Sequence, residues 1–444
     1  MSTSIEQRFY ELHPKSAEMH ESARSLFPNG VTHDARRQNP FQLYYTHAEG
    51  AAKYDVDGNR ILDYFPGHGA LILGHSRLEV VRAVQEQMAR GTHFSGSTEL
   101  EMEWGNWVKE LIPSAEKVRF HSSGTEADMM AIRMARAYTG KTKVIKFEDH
   151  FHGWSDYLVA GSEGIGGIPA ETLSTMIVLP PNDIETFERT LQNDDDIAAV
   201  ILEPTGAHMG LEPILPEFLH QLREVTERYG VVLIFDEVVT GFRVSRGGAQ
   251  EYFGIRPDLT TLAKILGGGL PGGAVTGKAD IINMIEDRPG DAEYNRNGRI
   301  AHNGTFNANP ISAAAGIAAL EIVANEPIND TANLRAAQLK DGLNDLMGRM
   351  EIPGCVTGIA SLMFLRLGVD VPESDREYCI LSPEQMAVSM EPERIRQLTL
   401  SLLNHGVQSG NRFILTAAHT EDDIAHTIGA YEKAFDEIRG IGLI

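Results

Sequence analysis

The sequence predicts an α/β fold: a large domain with a mostly parallel sheet covered by helices, and a smaller α+β domain. Three observations carry that prediction. From about residue 75 to 325, short apolar runs alternate with helical stretches. The runs are almost continuously apolar, as strands buried on both faces are, rather than alternating in polarity. The residues able to do chemistry fall where these runs end, which is where ligands gather in such sheets.

Taken in order, the first thirty residues read as a polar amphipathic helix ending near Pro28, Asn29 and Gly30. AAKYDVDGNRILDYF then reads as a hairpin: Tyr54 and Val56 alternate with acids, Asp57-Gly58 turns, and Ile61, Leu62 and Tyr64 return. The DVDGN string lacks the closing glutamate of a calcium loop, so the turn reading is preferred. Val118–Phe120 leads into a glycine turn and the helix EADMMAIRMARAYTG. KVIKF (143–147), AAVILEP (198–204), VVLIFDE (231–237) and LTTLAK (259–264) are the further strands. Beyond about residue 326 amphipathic helices and short strands take over, with VPESDREYCILSPEQMAVS (371–389) as a polar surface excursion. Residues 75–325 are therefore expected to form the large domain, with 1–74 and 326–444 contributing to the small one.

Bulk properties narrow the function. The 444 residues carry 39 basic and 62 acidic side chains, a net charge of −23. That balance leaves no electrostatic footprint for nucleic acid or an anionic membrane. Only Cys355 and Cys379 occur, without metal-ligand spacing, so neither a metal site nor a disulfide framework is expected. The start, MSTSIEQRFYELHPK, has no apolar signal region and no stretch reaches a membrane span, so a cytoplasmic location is expected.

The chemistry concentrates in four places. Lys264 ends an apolar run and is followed at once by glycines (LAKILGGGLPGG), and Asp236 and Glu237 end another about thirty residues earlier. A strand-end lysine with a strand-end aspartate is what pyridoxal 5'-phosphate requires: the amine forms a Schiff base with the cofactor aldehyde, and the carboxylate holds the pyridine nitrogen protonated. Either residue alone could simply reach water. The three glycines after Lys264 imply a backbone that must stay clear of something bulky. SSGTEA (122–127) reads either as an anion site, with helix N–H groups and two hydroxyls facing a phosphate, or as an ordinary helix cap. FHGW (151–154) offers an aromatic to stack on a planar ring, or core packing with His152 as a packing histidine. No Walker or dinucleotide glycine pattern is present, and GSEGIGG (161–167) looks like a mobile loop.

With these residues and with ILEP, DEVVTGFR and NGTFNANP, the chain resembles the class III, fold-type I pyridoxal-phosphate aminotransferases, in the branch containing glutamate-1-semialdehyde 2,1-aminomutase. The resemblance runs from about FPNGV to AAHTEDDI. It implies that Lys264 carries the cofactor and shuttles a proton, and that Asp236 pairs with the ring nitrogen. Phe151 and Val238 would cover the two ring faces, and Ser123, Gly124 and Thr125 would hold the phosphate. Thr305 would reach the phosphate of a neighbouring subunit, which makes a homodimer the expected unit. Glu203 would lie near the cofactor and His152 beside the stacking aromatic.

The resemblance also places Arg36 at a substrate carboxylate, with Arg37 beside it as a second candidate; the alternative is a solvent-facing pair. It departs from the aminomutase at Asn411, where that enzyme has an active-site glutamate, and the family branch with a glutamate gate after the EP motif is not matched either, since Ala207 stands there. Arg412, next to Asn411, is a candidate for an acceptor carboxylate. The expectation is an aminotransferase moving an amino group from a β- or ω-amino acid, or an amine, to a 2-oxo acid. The alternatives are an isomerase on the same cofactor, whether a 2,1-aminomutase or a racemase or epimerase, and a catalytically silent cofactor- or phosphate-binding protein.

Overall fold

A computed structural model describes residues 4–444. They divide into two compact units: one runs to Gly67 and adds Ile72–Arg77 and Asp330–Ile444, and the other comprises His68–Leu71 and Leu78–Asn329. The expected N-terminal helix is two, Ser4–Leu12 and Pro14–Arg24. Proline disfavours helical geometry in the residue before it, and His13 accordingly sits at φ −130, ψ 46. The break is pinned to the hairpin. His13 Nδ1 lies 2.7 Å from Asp55 Oδ2, and the Asp57 carboxylate accepts the N–H groups of Lys15 (3.0 Å) and Ser16 (3.2 Å).

Strands β1 (Tyr45–Glu49), β2 (Ala52–Asp55) and β3 (Arg60–Asp63) form the antiparallel hairpin region. Gly58 turns it at φ +91, and Asp55 Oδ1 accepts the N–H groups of Asp57 (3.0 Å) and Asn59 (2.7 Å). The acids thus serve the turn and the adjoining helix.

The middle unit is built on β4 (Lys117–His121), β5 (Lys143–Phe147), β6 (Met176–Leu179), β7 (Ile197–Leu202), the two-residue β8 (Glu212–Pro213), β9 (Val232–Asp236), β10 (Leu259–Ala263) and β11 (Gly273–Gly277). Seven of them make one sheet in the order β4-β11-β10-β9-β7-β5-β6. Its pairs are parallel except those of β11, which is antiparallel to both neighbours. Strands β7, β9, β10 and β11 are buried at every position. The helix Gly124–Thr139 follows β4 and packs Ala127, Met130, Ala131 and Met134 against Val144, Ile201 and Ile234. Each fully buried valine, isoleucine or methionine among them contributes roughly 1.5–3 kcal/mol.

In the terminal unit, β12 (Gly354–Ile359), β13 (Leu362–Leu367) and β15 (Arg412–Ile414) form an antiparallel sheet, and β14 (Val407–Gln408) pairs parallel with β3. The 371–389 stretch is less superficial than its polarity predicts. Gly358 N–H donates to Arg376 O at 3.0 Å, and Cys379 is only 3% exposed. Among the described residues no single helix is long and apolar enough to cross a membrane.

Candidate active site

The parallel pairing of β9 with β10 sets Asp236 opposite Thr261, three residues before Lys264. Lys264 follows β10 directly, in left-handed backbone (φ 52), a conformation that is costly outside glycine and is held here by the surrounding fold. The residue as a whole is half-buried. Burial pushes its proton affinity down, and Asp236, Glu203 and Asp128 oppose that shift.

The turn after β4 closes around a small space. A Cβ on Gly124 would stand 3.0 Å from both methyls of Val238 and 3.5 Å from Cβ of Ala263, the residue before Lys264. A Cβ on Gly153, at φ +80, would overlap the Thr125 hydroxyl, and one on Gly273 the Ser123 carbonyl oxygen. Ser123 caps the helix, accepting from Glu126 N–H at 3.2 Å, while Ser122 N–H donates to Glu126 Oε2 at 2.7 Å. Capping therefore occurs, and it leaves the first-turn N–H groups of Gly124 and Thr125 pointing out of the helix end for an anion. The two readings of SSGTEA are compatible.

Behind this cradle lies a buried polar network. Asp236, 5% exposed, accepts from Val238 N–H at 3.0 Å, and its Oδ2 lies 2.7 Å from His152 Nδ1. A carboxylate only accepts, so Nδ1 carries the proton and the imidazole stays neutral; burial lowers its proton affinity against the pull of Asp236. Glu203 Oε1 accepts the N–H groups of Phe151 (2.9 Å) and His208 (3.1 Å), and Oε2 that of Met209 (3.1 Å). Burial, reinforced by Asp236, pushes its carboxyl up to about 7.

Ser123, Gly124, Thr125, His152, Glu203, Asp236, Val238 and Lys264 thus converge in one place. The Phe151 backbone is tied to Glu203, while its ring is 60% exposed. Thr305 lies on the exposed segment before helix Pro310–Asn325, where its carbonyl accepts from His93 Nε2 at 2.6 Å. Arg36, Arg37 and Arg412 belong to the terminal unit. Arg36 donates to Thr32 Oγ1 at 3.0 Å, and Arg37 is exposed. Arg412 opens β15 opposite Phe364, with its guanidinium 5.9 Å and 6.0 Å from the ring centres of Phe65 and Phe364.

Two of the three glycines after Lys264, Gly268 and Gly269, have another cause than the one expected. A Cβ on Gly268 would meet the Ala315 carbonyl oxygen at 2.5 Å, and one on Gly269 the Leu71 side chain at 2.5 Å. They clear the protein itself.

Three further residues were not singled out from sequence. Asp128, 1% exposed, accepts from Thr261 Oγ1 at 2.5 Å, and burial together with Asp236 pushes its carboxyl well up. Lys146, 1% exposed, donates to Leu158 O at 2.9 Å, and burial pushes its amine down to about 8. His150 Nδ1 accepts Glu203 N–H at 2.9 Å. A lysine inside the apolar KVIKF run was the signal for one of them.

A buried carboxylate aimed from a strand end, a lysine of lowered proton affinity and a glycine-lined helix end fit a planar, phosphate-bearing pyridine aldehyde. The profile described as aminotransferase class-III matches residues 33–414. The chain belongs to the class III aminotransferase family. It is 38% identical to the glutamate-1-semialdehyde 2,1-aminomutase of Methanopyrus kandleri over 441 residues, covering 96% of this chain and 98% of that one. An omega-transaminase from Sphaerobacter thermophilus shares the fold at TM-score 0.86 and 33% identity, covering 96% of this chain and 98% of that one. A beta-phenylalanine aminotransferase from Variovorax paradoxus does so at TM-score 0.81 and 32% identity, covering 98% and 96%. The class III chain is thus a fold-type I enzyme whose cofactor is pyridoxal phosphate.

Proposed function

We propose that this class III enzyme is an aminotransferase that moves the amino group of a β- or ω-amino acid to a 2-oxo acid. The observation that carries the reading is the Asn411-Arg412 pair, a neutral amide and a cation where the aminomutase resemblance calls for an acid. Arg412, half-buried on β15 over two aromatic rings, has the planar fork that carboxylate recognition uses. The omega-transaminase and beta-phenylalanine aminotransferase likenesses support it.

When bound, pyridoxal phosphate supplies an electron sink for the bond broken at the amine-bearing carbon. Lys264, whose amine is more easily neutral than an exposed lysine, holds and moves the proton at Nζ. Asp236 keeps its negative charge directed at the ring nitrogen because His152 and the Val238 N–H hold both of its oxygens. Gly124 and Thr125 N–H groups and the Ser123 and Thr125 hydroxyls take the phosphate. Val238 and Phe151 flank the ring, and Glu203 fixes the backbone that carries Phe151. Thr305 serves the phosphate of the second subunit of a homodimer, and Arg36 or Arg37 takes the donor carboxylate. The acidic, cysteine-poor chain suits the cytoplasm.

A second reading has its own observation and, on names alone, the stronger one: relatives of 36% to 40% identity bear the name glutamate-1-semialdehyde 2,1-aminomutase. The test is a half-reaction. Cofactor-loaded enzyme is mixed with α-, β- and ω-amino acids without acceptor while the visible cofactor band is followed. A β- or ω-donor that bleaches the band with stoichiometric release of a carbonyl product supports transamination. Many turnovers of isomer with no net carbonyl product would establish the mutase. Arg412→Ala is expected to raise the acceptor KM at least about tenfold, the value of one charged hydrogen-bonded contact; an unchanged KM removes Arg412 from the reading.

A further inference from the structure

The segment between Ile300 and the helix Pro310–Asn325 has neither helix nor strand, yet it carries Thr305. What fixes it is a fork. Arg119, on the edge strand β4, donates from Nε to His302 Nδ1 at 2.9 Å and from Nη2 to the His302 carbonyl at 3.0 Å. Further along, Thr305 O accepts from His93, and Asn309 Nδ2 donates to Thr92 O at 2.9 Å.

The fork dictates the protonation of His302. A guanidinium only donates, so Nδ1 must be bare and Nε2 must carry the proton. The amide of Asn307 lies 3.4 Å from Nε2, its nitrogen facing the ring while its oxygen has no partner. The two ends of an amide are alike in shape. Turning it lets Nε2–H donate to Asn307 Oδ1. His302 is then a neutral bridge from Arg119 to Asn307, spanning the residues on either side of Thr305.

We propose that Arg119 and His302 are positioning residues that hold the segment Asn303–Asn309, and Thr305 with it, against β4, and that a second proton on His302 releases it. The proposal rests on the assignment of Thr305 to the cofactor phosphate. Protonation would set an N–H at Nδ1 against the Arg119 N–H, turning an attraction into a repulsion. The groups facing His302 are Arg119 and His121 from β4 and Glu126 and Arg133 from the helix Gly124–Thr139. Burial and the two guanidiniums lower its proton affinity, and Glu126 opposes them. His121, its ring centre 4.6 Å away, is pushed down to about 3 by burial, His302 and Arg119, so it stays neutral. The lowered proton affinity of His302 therefore keeps the fork intact through the ordinary histidine range, and it is lost only on the acid side of that range.

The test uses holoenzyme at about pH 8 and about pH 5.5, bracketing the ordinary histidine value. Hydrogen exchange of residues 301–309, corrected for the intrinsic rate, is read beside cofactor retention on dialysis. Arg119→Gln is expected to speed segment exchange roughly tenfold at the higher pH, the loss of one charge-assisted hydrogen bond, and to weaken cofactor retention by a similar factor. His302→Gln presents an amide oxygen to Arg119 and takes no proton. It is expected to match the parent at the higher pH and to lose the release at the lower. Unchanged segment exchange in Arg119→Gln, or the same acid release in His302→Gln as in the parent, overturns the proposal. Thr305→Ala separates the two assignments. If it keeps its cofactor, the phosphate role of Thr305 fails, while segment exchange still decides the fork.

Discussion

The pairing of His152 with Asp236 is the part of the site whose loss can be worked out most directly. Asp236 has two fixed donors, His152 Nδ1 at 2.7 Å and Val238 N–H at 3.0 Å, and both side chains of the pair are buried. His152→Phe keeps a ring of similar breadth and deletes the donor. One carboxylate oxygen is then buried without a partner, and a hydrogen bond to a charged group is worth about 1.5–3 kcal/mol. If that energy is lost from the aim of the carboxylate at the cofactor, the half-reaction slows roughly 10- to 150-fold, at about 1.4 kcal/mol per tenfold. His152→Asn retains a shorter donor and should fall between variant and parent. The assay is rapid-mixing bleaching of the visible band at saturating donor, with cofactor content and thermal unfolding measured on the same samples. A fully loaded, folded His152→Phe enzyme within twofold of the parent rate would refute the reasoning, because Asp236 would then hold its orientation unaided.

Three other outcomes follow from single contacts. Gly153→Ala places a methyl on the Thr125 hydroxyl at a φ of +80 and should weaken cofactor binding at least about tenfold, since left-handed backbone alone costs about 1–2 kcal/mol; an unchanged dissociation constant would show that the phosphate turn is not closed by Gly153. His419 is 2% exposed, its Nδ1 accepts Thr416 N–H at 3.1 Å, and burial pushes it down to about 4. The unfolded chain binds the proton first, so stability falls as pH drops from the ordinary value of about 6.5 toward 4, by ~3 kcal/mol in full. His419→Asn should flatten the acid side of an unfolding free-energy profile, and equal slopes would count against this. Cys355 and Cys379 are both buried, and burial pushes the Cys355 thiol up to about 11. A thiol reagent should label native protein at least about a hundredfold more slowly than unfolded protein, given so little thiolate and so little access, and comparable rates would contradict that packing.

The strands that sequence showed and those it missed differ for a physical reason. Strands β5, β7, β9 and β10 are apolar runs, and burial on both faces makes such runs visible. β11 is GAVTG, and its glycines are there because a Cβ on Gly273 would strike Ser123 O and one on Gly277 the Asp258 carbonyl oxygen. Close approach erased the very side chains that would have marked the strand. β6 is four residues long with two of them half-buried, too short a run to stand out. The N-terminal break at Pro14 was written in the residue type, but the polar, helix-favouring stretches on both sides of it masked the stop.

The site divides along the same line. Its front was legible because each working group sits at the end of one strand or turn: Ser123 after β4, Asp236 at the end of β9, Lys264 after β10. Parallel pairing brings strand ends to one edge, so local motifs predict a shared location. Its back is assembled differently. The three N–H groups on Glu203 come from Phe151, His208 and Met209, and the last two reach it only because both residues adopt positive φ, 50 and 71. The partner of Asp128 is Thr261, 133 positions away. Periodicity and spacing carry no record of a backbone donor turned by an unusual dihedral, nor of a hydroxyl met across the sheet. Yet these contacts decide whether a buried carboxylate is charged, and so how the residues in front of them work. Chemistry placed by strand ends can be read from a sequence, whereas chemistry tuned by backbone donors has to be read from the fold.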